Sequence, residues 1–490
     1  MASRRDKISK ALAQPAQAGL DTGLSTSRAQ DPDRSSARPS PLDKTMPTYQ
    51  LRGVAVDFPH EAYACQLDFM SSVIEALQTG QHALLESPTG TGKTLCLLCA
   101  ALAWQQTTAQ PTVSTDGNGV GSVDSGRAAP RSRIVYASRT HSQLQQVIRE
   151  LKLAVRHGSY DPAMCVLGSR DQMCVHPEVS ELRGVRQKAM CKSHVASRTC
   201  NYREGVEAFI RRRRQRAEIH DIEDLGELGR RELVCPFFAV RELQANADII
   251  FLPYNYLIDK SVRRSLETNL DLAGSVLIFD EAHNLEGLCS DASSLDLHTT
   301  DLQNAVREVE TVMRMLGSSA DLDSQCSSDE LEMLKGLLEG IVRELDAVVI
   351  SKPEGLAHDG QWALEFFDRA TKGQLNFATR DMLLDLIDRV VSSLSSASDP
   401  SQNQDTLCVQ KVGALIALVF QAVSKEESLQ HSKFYKVHIH VDPNMKPARR
   451  NFGEFTSIRG QRQSGGRIFG YWCFNPGIAM QSLHAYGIRS

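Results

Sequence analysis

Ser87-Pro-Thr-Gly-Thr-Gly-Lys-Thr94 places a lysine and a hydroxyl directly after a glycine-rich turn. Successive backbone N–H groups in such a turn, together with the N-terminus of a following helix, cradle phosphates. Lys93 would neutralise β- and γ-phosphates there, and the Thr94 hydroxyl would ligate Mg2+. Ser87, Pro88, Thr89, Gly90, Thr91, Gly92, Lys93, Thr94 and Asp280 form the candidate ATP/Mg2+ set. Asp280-Glu-Ala-His283 supplies the complementary chemistry, because it follows the apolar run Val276–Phe279. A carboxylate at the end of such a strand can hold Mg2+ through water, and a second can orient or deprotonate the attacking water. Asp280 is assigned to the metal and Glu281 to the water, so Lys93, Asp280 and Glu281 are the candidate catalytic residues. His283 is read as coupling this site to neighbouring elements. Each motif alone occurs in chains that bind nothing; together they point to a nucleotide-driven motor.

A second set of candidates is cysteine. Cys174, Cys191, Cys200 and Cys235 are separated by 16, 8 and 34 residues, without a C-x-x-C pair. Four thiolates in this arrangement could hold zinc or an iron–sulfur cluster, and four unrelated core cysteines would look the same. Cys165 falls in the strand-like MCVL, while Cys96 and Cys99 sit in an apolar helical run where cysteine packs as a small hydrophobe. In the same segment Arg211–Arg214 and Arg216 form a dense basic run. It reads as a solvated helix face, a phosphate-tracking surface or a nuclear localisation signal.

The elements that must position these residues follow from pattern. Ala83–Glu86 reads as a strand feeding the phosphate loop, and Thr94–Gln105 as the helix behind it. Ile134–Ala137 is the next strand, followed by a helix over 142–153. Residues 247–252 and Val276–Phe279 are apolar on both faces, as a parallel sheet requires. Beyond 290, leucines and isoleucines from Leu331 to Leu345 step by three and four along one helical stripe. Similar stripes run near 302–316, 382–394 and 409–423, and a strand-like aromatic run returns at 468–474. The fold class is therefore α/β. Residues 1–45 read as a disordered tail. Residues 46–165 and 241–289 read as an ATP-binding domain carrying a loop insertion at 106–132. Residues 166–240 form a cysteine segment, 290–465 a helical insertion, and 466–490 a return to the first domain.

Bulk composition bounds the rest. A hydrophobic content of 41% and a charged content of 23% fit an ordinary globular chain. The net charge of −4 neither supports nor excludes DNA, since binding depends on local phosphate contacts. The apolar run near 95–104 falls short of the roughly 20 residues a membrane span needs. The N-terminus has no apolar h-region. Twelve cysteines without a secretory signal point to reduced thiols.

Gln66, SPTGTGKT, ASRTHSQ (137–143), the four cysteines, LPYNYL (252–257) and DEAH stand in an order that resembles the superfamily 2 iron–sulfur DNA helicases related to xeroderma pigmentosum group D protein. GVAVDFPHEAYACQ, CVLGSRDQMCVHPEV, HVASRTC, YKVHIH (435–440) and YWCFNPG (471–477) extend the resemblance over 46–490, most closely to its telomere-maintenance branch. The sister branch of the Fanconi anaemia group J type shares many of these motifs. Ser87 replaces the first glycine of the general phosphate-loop pattern, as small residues do in helicases.

The resemblance implies a RecA-like P-loop parallel-sheet motor domain with an inserted iron–sulfur cluster domain and an inserted helical arch domain. It implies ATP, Mg2+ and a 4Fe–4S cluster on Cys174, Cys191, Cys200 and Cys235, with Cys165 matching no ligand. It further implies that Gln66 reads adenine with Phe58 and Tyr63 beside the base. Arg139, Thr140, His141, Tyr254 and Asn255 become the candidate DNA contacts. The expected activity is 5′→3′ DNA unwinding in repair, recombination control and telomere maintenance. Expected partners are single-stranded DNA, structured junctions, and replication, repair and telomere proteins in the nucleus, with no membrane. The resemblance also leads to the expectation of a second motor domain after Ser490, without which turnover would be poor. A non-catalytic DNA-binding isoform and another DEAH enzyme acting on RNA are the alternatives.

Overall fold

The computed structural model describes residues 47–108, 132–213, 218–259, 262–263, 272–316, 326–397, 407–422, 424–442 and 466–484. The expected tail at 1–45 and most of the expected loop at 106–132 lie outside these residues. Strand β1 (Thr48–Leu51) pairs antiparallel with β2 (Val54–Asp57). Arg52 and Gly53 turn the chain between them with φ of 48° and 79°. Two consecutive left-handed residues match the right-handed twist of a tight hairpin.

β3 (Ile134–Ser138), β4 (Met164–Val166), β5 (Ile249–Pro253) and β6 (Val276–Phe279) form a sheet in the order β4-β5-β3-β6. Every pairing in it is parallel. β3 and β5 are buried throughout, which is why both read as unbroken apolar runs rather than alternations. Alternate residues of β3 serve two cores. Ile134 and Tyr136 join the core containing the helix Lys93–Thr108, while Val135 and Ala137 join the one containing the cysteine segment.

The strand expected at 83–86 does not form. Residues 81–88 carry no strand, and Leu84 is 92% exposed. A strand needs a ladder partner, and none of the described strands pairs with this stretch. Apolar composition supplied the propensity but not the pairing.

The arch segment is helical as expected, with helices Thr299–Leu316, Ser328–Ala347, Gln361–Thr371, Arg380–Ala397 and Cys408–Val419 packed on one core. It also contains a sheet that the helical stripes concealed. β7 (Leu295–His298), β8 (Leu356–Asp359), β9 (Tyr435–Val441) and β10 (Arg467–Cys473) run in the antiparallel order β7-β10-β9-β8. The aromatic run expected to rejoin the first domain is β10, one of the two interior strands of this second sheet. Its inward residues, Phe469 and Tyr471, are buried in the arch core. The return comes one element later: Ala479 and Leu483 of the helix Gly477–His484 pack into the core shared with the cysteine segment.

Candidate nucleotide and cluster sites

The phosphate loop enters the helix at Lys93, and Gly90 and Gly92 hold φ of 82° and 69°. A side chain would be strained at both, so glycine is what lets the backbone N–H groups curl toward one point. Lys93 Nζ donates to the Ser87 carbonyl at 2.9 Å, and the Ser87 and Thr91 hydroxyls are 2.6 Å apart. Gln66 Nε2 donates to the Thr91 carbonyl at 2.9 Å, while its Oε1 accepts from the Tyr63 N–H at 2.9 Å. Gln66 therefore ties the helix Ala64–Thr79 to the loop. Tyr63 is exposed beside it, but Phe58 is fully buried in the core. The expectation that Phe58 flanks a base is corrected: Val54, Val56 and Phe58 alternate onto one buried face.

Asp280 follows β6, its N–H donating to the Ala137 carbonyl at 2.9 Å. Burial lifts its carboxyl above the ordinary range and Glu281 adds to this, against the pull of Tyr136 and Lys93. The Lys93 charge is thus felt at the carboxylate across the loop. Glu281 has a left-handed backbone, φ 56°, uncommon for a non-glycine residue. Its Oε2 lies 3.3 Å from His283 Nδ1.

Of the candidate DNA contacts, Arg139 is exposed and donates to Asn284 Oδ1 at 3.2 Å, linking the end of β3 to the DEAH turn. Thr140 caps the helix His141–His157 by accepting from the Gln143 N–H. His141 is half-buried, and burial depresses its pKa. Asn255 is exposed, whereas Tyr254 is buried at 1% exposure. Tyr254 is not placed to meet DNA; it faces Asp280 and Glu281, whose charges raise its pKa further beyond the effect of burial.

The four cysteines come together. Cys174, Cys191, Cys200 and Cys235 line one small cavity with His176, His194, Tyr202 and Phe238. Local structure sets them there. Cys174 ends the short helix Arg170–Met173, Cys200 starts Asn201–Glu204, and Cys235 starts Pro236–Leu243, with proline at its favoured first turn. The Cys235 N–H donates to the Tyr202 carbonyl at 2.7 Å, tying the start of Pro236–Leu243 to Asn201–Glu204. Burial raises the Cys174 thiol, and it pushes Cys235 up to about 12, with the other three thiols adding to it. Cys165 is buried elsewhere, in β4. Among the described residues no three His, Cys, Asp or Glu side chains stand close enough to share one metal ion. In the basic run, Arg211 and Arg212 are exposed on the helix Val206–Arg213, with Arg212 3.6 Å from Glu232; Arg214 and Arg216 lie outside the described residues.

A parallel sheet, a glycine-rich loop opening a helix and an Asp–Glu pair at the end of β6 define an α/β, P-loop helicase fold of the DEAH type. Two family models match consecutive segments: DEAD_2 over 136–302, and the RTEL1 helicase ARCH domain over 303–476. The regulator of telomere elongation helicase 1 homolog of Oryza sativa subsp. japonica is 38% identical over 481 residues, covering 91% of this chain and 45% of that protein. Regulator of telomere elongation helicase 1 of Homo sapiens is 38% identical over 487 residues, covering 91% of this chain and 39% of that protein. A solved structure titled XPD_Helicase overlaps 88% of this chain and 57% of its own, at 16% identity and a TM-score of 0.45. The chain is similar to the regulator of telomere elongation helicases over 91% of its length. It spans less than half the length of these two curated relatives.

Proposed function

We propose that this chain is the nucleotide- and cluster-binding portion of an ATP-dependent 5′→3′ DNA helicase acting on single strands and structured junctions. Its setting is the nucleus, in repair, recombination control and telomere maintenance, with the replication, repair and telomere proteins found there. The observation that carries the reading is the glycine turn that opens the helix Lys93–Thr108, with the Asp280 backbone fixed at the end of β6 and its carboxylate within reach of the Lys93 charge. Lys93 and the loop N–H groups bind the phosphates, Thr94 and Asp280 hold Mg2+, and Glu281 orients the attacking water. Gln66, already bound to the loop, presents its amide beside it, and exposed Tyr63 is free to lie along the base. Arg139, Thr140, His141 and Asn255 border the route for a single strand.

Cys174, Cys191, Cys200 and Cys235 would hold a 4Fe–4S cluster. Tetrahedral zinc, with Zn–S near 2.3 Å, draws its sulfurs to about 3.8 Å of one another. Four thiols lining one common cavity support a four-thiolate centre, and the resemblance of the chain favours the multi-iron one. When bound, such a centre supplies crosslinking to a segment built of short helices. Anaerobically purified protein should be brown, absorb broadly near 400 nm and contain iron. Colourless protein with stoichiometric zinc would overturn the cluster assignment.

ATP turnover with and without single-stranded DNA, in wild type and Lys93→Ala, tests the motor. DNA-stimulated hydrolysis lost in Lys93→Ala supports it. Stimulation by RNA but not DNA would replace it with an RNA helicase. DNA binding without turnover would reduce this chain to a non-catalytic DNA-binding portion.

A further inference from the structure

The DEAH carboxylates are bracketed from both faces of the parallel sheet by buried tyrosines. Tyr136, in β3, is fully buried, and its register partner across the ladder is Ile278, two residues before Asp280. Its ring lies 5.6 Å from that of Phe251, which helps hold it on the face that packs against the helix Lys93–Thr108. From there its hydroxyl lies within electrostatic reach of Asp280 and Thr94, and it has no hydrogen-bond partner. Tyr254 approaches from the opposite face. Its backbone N–H donates to the Ser138 carbonyl at 2.9 Å, its ring lies 5.9 Å from Phe279, and its hydroxyl is likewise unpartnered.

An unpaired buried hydroxyl costs stability, and phenylalanine would fill either site without that cost. Both hydroxyls nevertheless lie within electrostatic reach of Asp280. Toward an ionised Asp280 the Tyr136 O–H can only donate. That donation would fix one carboxylate oxygen and leave the other for the cation.

We propose that Tyr136, seconded by Tyr254, is a positioning residue that orients Asp280 for the cation accompanying the nucleotide. The proposal rests on the nucleotide site described above and extends it to two side chains outside the loop and the DEAH motif. Neither tyrosine touches nucleotide; both act through Asp280.

The test is the affinity of the 490-residue protein for a non-hydrolysable fluorescent ATP analogue, measured in Mg2+ and again in EDTA. Tyr136→Phe is expected to lower the affinity in Mg2+ about tenfold, the worth of one hydrogen bond to a charged group, and to leave the EDTA value unchanged. Tyr254→Phe should do the same to a smaller degree, and Asp280→Asn should remove the Mg2+ gain altogether. An unchanged Mg2+ gain in Tyr136→Phe overturns the proposal, as does an equal loss in EDTA, which would mark a packing role. If wild type and Lys93→Ala bind alike, the nucleotide site itself fails and the tyrosine proposal falls with it. Matching thermal melting curves would establish that Tyr136→Phe remains folded.

Discussion

At the scale of single residues, Asp280 shows how function is set against stability. Burial raises its carboxyl above the ordinary value of 3.8, so the fold favours the protonated form. The sign follows: the penalty is absent below the unfolded pKa, builds as the carboxyl ionises in the unfolded chain, and is complete once it has ionised in the folded protein too. Asp280→Asn should therefore melt at a higher temperature than wild type at neutral pH, with the gain shrinking as pH falls toward 4. A scanning calorimetry series from pH 4 to 7.5 checks this, and an unchanged or lower melting temperature at neutral pH would contradict it. The phosphate loop and the DEAH turn were legible in the sequence because their chemistry is local: glycines, a lysine and carboxylates in consecutive positions. Tyr254 and Phe58 were not. LPYNYL has a polar centre, and nothing in the string says that Tyr254 turns inward while Asn255 turns out. For Phe58 the signal existed, since Val54, Val56 and Phe58 follow a period of two.

At the scale of elements, the helices of the arch were readable from stripes, whereas its sheet was not. β7, β8, β9 and β10 are spread from 295 to 473, with helices between β7 and β8 and between β8 and β9. Tyr435–Val441 alternates while β10 is buried continuously over 468–471, and pairing across such separations is not encoded in any local window. Strand 83–86 failed for the converse reason, having propensity without a partner. Close packing between the helices Ser328–Ala347 and Gln361–Thr371 turns on Gly340, where an added Cβ would lie 2.2 Å from the Ala370 carbonyl oxygen. Gly340→Ala should destabilise the arch by about 1–3 kcal/mol, the usual range for overpacking. Urea unfolding followed by tryptophan fluorescence reads it, because Trp362 lies in the second helix. A midpoint matching wild type would show that the helices shift apart freely. In the cysteine segment, Cys235→Ser should cost the brown colour and expose 170–240 to limited proteolysis, since its short helices depend on a common centre. Retained colour with an unchanged digestion pattern would contradict the ligand assignment.

At the scale of the whole molecule, one chain carries a parallel sheet with the candidate nucleotide site, a cysteine-lined cavity and an arch with its own sheet. No described helix is long and apolar enough to cross a membrane. The family matches divide the chain near 302, close to where β7 leads into the helix Thr299–Leu316. The motor reading stands on the phosphate loop and Asp280 acting as one site. Its most direct test is equilibrium binding of ATP in Mg2+ to wild type and to Lys93→Ala. The account predicts saturable Mg2+-dependent binding that falls at least tenfold in the variant, since Lys93 supplies the charge that meets the phosphates. Equal binding by the two proteins, or binding indifferent to Mg2+, would contradict it.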